Sequence, residues 1–335
     1  MKKEDAEILA EKGFFEDKKL DGKLVETHIS WVILSGEFAF KIKKPLKLSF
    51  LDFSTLALRK KFCYRELELN SRFSDIYCGV FPIEKKGDKW RIGENGGETV
   101  DFAVQMKLMD NELRMDELLS RNKVRGDQIV SLAKQVARFH QEAPVISDRF
   151  ELKEAKALFN DIGNACAAVK KLMGTHRVNA VKEAIAWSDS FLSAHQTEFQ
   201  RRVEQGFVRD VHGDLHSGNV FLTDPPVVFD CIEFNDKIRQ IDVLYEVAFM
   251  CMDLEAFGKK DLSDLFLTTY QSATPDYYTP KDAMIFLYFK CLRANVRAKV
   301  TMLALEQAED SKDKEELMSR IDKYLELMVN YRKND

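Results

Sequence analysis

The segment VHGDLHSGNVFLTDPPVVFDCIEFN, residues 211–235, sets three oxygen-bearing side chains, Asp214, Asn219 and Asp230, around two short apolar runs. Residues 220–222 and 227–230 have the composition of strands. TDPP between them predicts a turn, because Pro225 and Pro226 cannot donate ladder hydrogen bonds. Asp214 and Asn219 are then expected in the loop leading into a hairpin, with Asp230 at the end of its second strand. Phosphoryl transfer needs such a set. One carboxylate orients the attacking hydroxyl, and an Asn and a second Asp serve as hard oxygen ligands for Mg2+ on the phosphates of ATP.

The spacing D-x-x-x-x-N followed by a strand-terminal Asp is that of the kinase catalytic and metal loops. HGDLHSGN with FDCIEF resembles the aminoglycoside phosphotransferase and choline-kinase-like family, in which HGD stands where protein kinases have HRD. The resemblance implies that Asp214 is the catalytic Asp and that Asn219 and Asp230 hold the metal. It also implies an α+β, two-lobed protein-kinase-like fold, with a small β-rich lobe carrying one C helix and a larger, mainly helical lobe. The segment departs from the family at DCIE, where an aromatic more often follows the metal Asp, and Glu233 is left without an assigned role. Asp242, twelve residues past Asp230, occupies the place of a family Asp that braces the catalytic loop. His212 is expected to brace the same loop.

Towards the N-terminus, residues 3–12 have helical composition. LDGKLVETHISWVILSGEFAFKIKKPL alternates and turns as a hairpin does, with Asp21-Gly22 and Ser35-Gly36 as turn signals. Phe38-Ala39-Phe40-Lys41 has the period of the kinase V-A-I-K strand, which makes Lys41 the candidate phosphate-pairing lysine. Lys43, on the same face, competes with it. ETHISWV occupies the place of the phosphate-covering loop without a G-x-G-x-x-G, so Ser30, His28 or backbone amides would have to do that work.

Residues 54–73 form an amphipathic pattern with Leu56, Leu58, Phe62, Leu67 and Leu69 as its apolar positions and Ser54 as N-cap. RELELN within it resembles the family pattern REAxxL. Glu66 is therefore expected to pair with Lys41, with Glu68 the competitor. Residues 79–107 read as three strands. The last resembles the strand that enters the hinge, which implies that backbone groups around Gln105 and Lys107 meet the adenine. The first lobe is expected to span residues 1–108 and the second 109–335.

Composition bounds the reading. The chain has 335 residues, 45% hydrophobic and 32% charged, enough for a substantial core and two lobes. A formal net charge of -4 provides no basic footprint for nucleic acid. No apolar run suits a membrane span, and the start MKKEDAEILAEKG lacks a signal-peptide core, so a cytoplasmic protein without a membrane partner is expected. Six scattered cysteines show no C-x-x-C pair and are expected as buried thiols.

Beyond residue 110 the pattern is almost wholly helical, and His140 closes one apolar face and is expected as a core or capping residue. RQIDVLYEVAFMCMDLEAF reads as one helix. Arg293 and Arg297 lie one turn apart on a later helix, and two guanidiniums on one face suggest an anion site for an acceptor carrying a negative group. The reading is a Mg2+-dependent kinase that moves the ATP γ-phosphate to a small-molecule hydroxyl. A kinase-like regulatory module without turnover and a protein Ser/Thr kinase are the rival readings.

Overall fold

A computed structural model describes residues 1–48, 50–147, 149–308 and 310–333. The chain divides into two compact units. The first contains Met1–Leu118, His212–Asp214 and Gly218–Arg239; the second contains Leu119–Val211, Leu215–Ser217 and the described residues from Gln240 onward.

In the first unit, helix α1 (Lys3–Lys12) precedes strands β1 (Phe14–Phe15), β2 (Lys18–Lys19), β3 (Lys23–Glu26), β4 (Ser30–Ser35) and β5 (Phe38–Lys43). Helix α2 (Leu56–Asn70) follows, then β6 (Tyr77–Lys86), β7 (Lys89–Ile92) and β8 (Glu98–Lys107). The described strands form an eight-stranded sheet of order β2-β1-β7-β6-β8-β5-β4-β3. Gly36, at φ 55°, makes the β4–β5 turn that the sequence predicts.

Strand alternation separates two cores. Phe40 and Ile42 point to the face covered by α1, where they pack with Ala6, Leu9 and Ala10. Burial of each large apolar side chain there contributes about 1.5–3 kcal/mol. Lys41 and Lys43 must point the other way. That face carries Val104, the register partner of Lys41, and packs against Cys63 of α2.

Helix α2 departs from the expected pattern. Its buried residues are Arg59, Cys63, Glu66, Leu69 and Asn70, whereas Leu56 is exposed. The inward stripe is largely polar because the sheet face opposite it carries charge. Thr55, not Ser54, is the N-cap: its side chain accepts the Leu58 N–H, and the Ser54 hydroxyl turns to Asp52.

Residues 212–214 and 218–239 return to this unit and include a short hairpin, β10 (Val220–Phe221) with β11 (Val227–Val228), and one helical turn, α9 (Asp236–Arg239). The first unit thus extends past residue 108 to Leu118 and takes in most of the segment placed from sequence in the second lobe. The reason lies in hydrogen bonding. Backbone N–H groups at Asp230 and Cys231 are received by Tyr77 and Asn70 of β6 and α2.

Helix α3 (Met115–Ser120) spans the border. The second unit is mainly helical, with α4 (Gly126–Glu142), α5 (Leu152–Asn160), α6 (Cys166–Met173), α7 (Thr175–Ala194), α8 (Gln196–Glu204), α10 (Val243–Ala256), α11 (Lys260–Ala273), α12 (Ala283–Gln307) and α13 (Ser311–Lys333). RQID does not begin a helix. Residues Gln240–Asp242 form β12, antiparallel to β9 (Val208–Asp210), and Asp242 caps α10. His140 is a core residue as expected, between the Tyr270 hydroxyl and the Glu246 carboxylate at 2.8 Å each. Cys63, Cys231, Cys251 and Cys291 are buried free thiols, while Cys78 is exposed and Cys166 half-buried. Among the described residues, no helix is long and apolar enough to cross a membrane.

Candidate active site

The site is built on residues 229–231, which are held from three directions. His212 Nε2 lies 2.9 Å from the Phe229 carbonyl, the Asp230 N–H donates to the Tyr77 hydroxyl at 3.0 Å, and the Cys231 N–H donates to Asn70 Oδ1 at 2.8 Å. These bonds secure Asp230 in the left-handed region at φ 64°, uncommon for a residue with a side chain. They also settle the His212 tautomer. A carbonyl can only accept and the Asp214 N–H, 3.3 Å from Nδ1, can only donate, so Nε2 carries the proton.

Gly213 turns the chain between His212 and Asp214. It has φ 86°, and a Cβ there would lie 3.0 Å from the Ile238 oxygen and 3.1 Å from the Arg239 Cα, so a larger residue meets both strain and backbone. Asn219 Nδ2 donates to the Asp214 carbonyl at 3.0 Å and to its carboxylate at 3.2 Å. With the amide nitrogen turned to Asp214, Asn219 Oδ1 is the atom left for a cation. The Asp230 carboxylate is a second hard oxygen donor, and its side chain is 45% exposed. This pair fits Mg2+, which takes few protein ligands and completes its shell with water and phosphate oxygens. Among the described residues, no cluster of three His, Cys, Asp or Glu side chains suits a metal on its own.

Both candidate lysines reach Glu66. Lys41 Nζ lies 2.8 Å from Glu66 Oε1, an ionic contact without hydrogen-bond geometry, and 2.5 Å from Asp230 Oδ1. Lys43 Nζ donates to Glu66 Oε2 at 2.6 Å and to Glu233 Oε1. Glu68 is exposed on the far side of the helix. Burial works against the charge on Lys41, but Asp230, Glu66 and Glu233 together outweigh it and hold its pKa well above the ordinary lysine value. Burial likewise opposes ionisation of Glu66, and Lys41 and Lys43 override it, lowering its carboxyl to about 2. Glu233 goes the other way, since its burial dominates the pull of Lys43 and raises its pKa.

Other expected positions lie elsewhere. Ser30 is buried, with its N–H on Thr27 Oγ1 and its carbonyl accepting from Thr27, so no surface remains to cover a phosphate; His28 beside it is exposed. The Gln105 side chain is buried, the Lys107 ammonium pairs with Asp75 at 2.8 Å, and the Lys107 N–H donates to the Ile76 carbonyl. The sheet itself therefore uses the strand end that was expected to meet a base. Asp242 accepts the Leu244 N–H and a bidentate pair from Arg202 at 2.6 and 2.8 Å. The carboxylate that receives groups of the 214–219 loop is instead Asp253, which accepts the Ser217 N–H at 2.8 Å and its hydroxyl at 2.5 Å.

Arg293 is 3% exposed, with its guanidinium 3.7 Å from the Tyr245 ring centre and 4.5 Å from that of Phe249. Arg297 Nε donates to the Tyr324 hydroxyl at 3.5 Å. Both guanidiniums thus stand against aromatic rings. Sequence reasoning missed Asn70, Tyr77 and Asp253 as supports of the loops. An Asn one helical turn after Glu66, on the same face, was the available signal for the first.

Comparison with known proteins bears on the family and the fold. The model of the family described as "Phosphotransferase enzyme family" matches residues 111–280. An uncharacterised protein of Mycobacterium tuberculosis is 31% identical over 290 residues, covering 85% of this chain and 55% of that protein. The chain thus spans about half the length of the curated relatives it matches. Among solved structures, the GDP and kanamycin complex of APH(2")-IIia aligns over 100% of both chains at 13% identity with a TM-score of 0.56. Choline kinase from Cryptosporidium parvum aligns over 93% of this chain and 90% of its own at 13% identity, with a TM-score of 0.54. At such identities the likeness establishes the fold, which is kinase-like.

Proposed function

Because the chain belongs to the phosphotransferase enzyme family, we propose that it is a Mg2+-dependent kinase moving the ATP γ-phosphate to a hydroxyl of a small molecule. The observation that carries this reading is the joining of Lys41, Glu66 and Asp230 in one ionic set, beside the Asp214–Asn219 pair. In this reading Glu66 orients Lys41 towards the nucleotide phosphates, and the Asp214 carboxylate aligns the acceptor hydroxyl and takes its proton. Asn219 Oδ1 and the Asp230 carboxylate hold Mg2+. The ion, when bound, neutralises charge on the phosphate oxygens. His212, Tyr77 and Asn70 keep residues 229–231 in place for it.

The test is ADP release from Mg2+-ATP over a panel of hydroxyl metabolites. GTP is run alongside, since the similar APH(2")-IIia was solved with GDP. Asp214→Asn should lower kcat by about 10²–10⁴-fold and leave nucleotide binding by calorimetry nearly intact. Asp230→Asn should weaken the Mg2+-dependent part of binding. Equal loss of binding in both variants contradicts the two roles. Mg2+-nucleotide binding without transfer to any hydroxyl would mark a regulatory module instead.

A further inference from the structure

The residues assigned to the reaction leave two buried charges unexplained, Lys43 and Glu233. Their side chains are 1% and 4% exposed, against 12% for Lys41 and 45% for Asp230. Burying an ion pair is costly, and a well-packed apolar pair of similar volume is often as stable or more so. A sealed lysine and carboxylate beside a working pair therefore call for a reason other than stability.

Lys43 contacts both Glu66 of α2 and Glu233, three residues past Asp230. One ammonium thus ties β5, α2 and the exit of the metal loop together without using Lys41 or Asp230. The charge balance is equally specific. Two lysines face three carboxylates: Glu233 offsets Lys43, Glu66 offsets Lys41, and the surplus negative charge resides on Asp230, the most exposed member. Without Glu233 the set would be neutral, and Asp230 would be fully compensated by lysine before any cation arrived.

We propose that Lys43 and Glu233 are an interior positioning pair that fixes Glu66 and the segment after Asp230 and leaves the Asp230 carboxylate free in charge for a divalent cation. This rests on the proposed function for its kinetic consequences alone. Neither residue touches the reacting atoms. They act through Glu66 and Asp230, as outer partners of metal ligands commonly do.

The variant that isolates positioning is Lys43→Met/Glu233→Leu, which removes one charge of each sign, keeps the surplus negative charge on Asp230 and leaves neither member buried alone, so melting close to wild type is expected. Against that unchanged stability, the Mg2+ concentration for half-maximal rate should rise about 10–100-fold, the usual scale for outer-shell changes, with a smaller change in the nucleotide KM. In the protein without nucleotide, hydrogen exchange of peptides covering residues 226–236 should quicken at least tenfold. Glu233→Gln, which removes the surplus charge with little change in shape, should raise the Mg2+ requirement in the same direction and serves if the double variant does not fold. A folded variant with wild-type Mg2+ requirement and wild-type exchange overturns the proposal. If the wild type transfers no phosphate, the functional reading fails by itself, and the exchange comparison still decides the pair.

Discussion

Two pairs of cations stand at element spacing in this chain, Lys41 and Lys43 two residues apart on β5 and Arg293 and Arg297 four apart on α12, and they meet opposite surroundings. The lysines face Glu66, Asp230 and Glu233. The arginines lie on Tyr245, Phe249 and Tyr324. Periodicity brings both pairs to a single face, but the face opposite determines the use. Carboxylates keep a lysine charged and directed, whereas aromatic rings take a guanidinium as packing material, stabilised by up to about 2 kcal/mol where it is desolvated.

The contrast is tested most severely by matched substitutions. Lys41→Met should lower kcat/KM by about 10²–10³-fold, the scale of removing one charge-stabilising group, at a modest change in melting. Arg293→Met should do the reverse, leaving the rate within about threefold while the melting temperature falls. Steady-state kinetics beside thermal unfolding separates the two, and equal rate losses would return Arg293 to the acceptor site.

Acid titration gives the next largest effect. The Glu66 carboxyl is lowered to about 2 in the folded protein from an ordinary 4.5. Its contribution is therefore fully present above pH 4.5 and is lost as pH falls from there towards 2, on the order of 3 kcal/mol in the limit. The raised pKa of Glu233 has the opposite sign and offsets part of this near neutral pH. Glu66→Gln, though less stable at pH 7, should show a flatter decline of the urea midpoint across that acid window. An unchanged slope would mean that the lysine cluster does not hold Glu66 ionised.

The smallest effect concerns the hydroxyl under Asp230. Tyr77→Phe leaves the Asp230 N–H without its acceptor and should cost about 1–2 kcal/mol of stability, with a severalfold rise in Mg2+ requirement. A fully stable variant with an unaltered metal dependence would show that Asp230 keeps its left-handed backbone unaided.

What the sequence made legible follows the same division. The polar spacing of Asp214, Asn219 and Asp230, the alternation of β4 and β5 and the helical repeats beyond residue 110 are local patterns. Each survived into the structure as elements of the expected kind. The buried face of α2 was misjudged because counting Leu56, Leu58 and Phe62 assumes that apolar residues turn inward. It is Arg59, Glu66 and Asn70 that do, opposite Asp101, the two lysines and the Cys231 N–H respectively. Tyr77 and Asn70 act on a segment more than 150 residues away, and nothing in their own neighbourhoods announces it. Glu233 was visible as an anomaly in DCIE, but its partner Lys43 was weighed as a rival of Lys41, not as a companion.

Lysines held this way also behave unusually as chemical reagents. Acylating labels react with the neutral amine, and the carboxylates around Lys41 keep its ammonium protonated far into the alkaline range. A map of reactive amines made on the free protein at neutral pH would therefore pass over Lys41 and Lys43 and report the exposed lysines of the surface. In the proposed reaction Lys41 is the side chain that meets phosphate, and it would be among the silent ones as long as Asp230, Glu66 and Glu233 surround it.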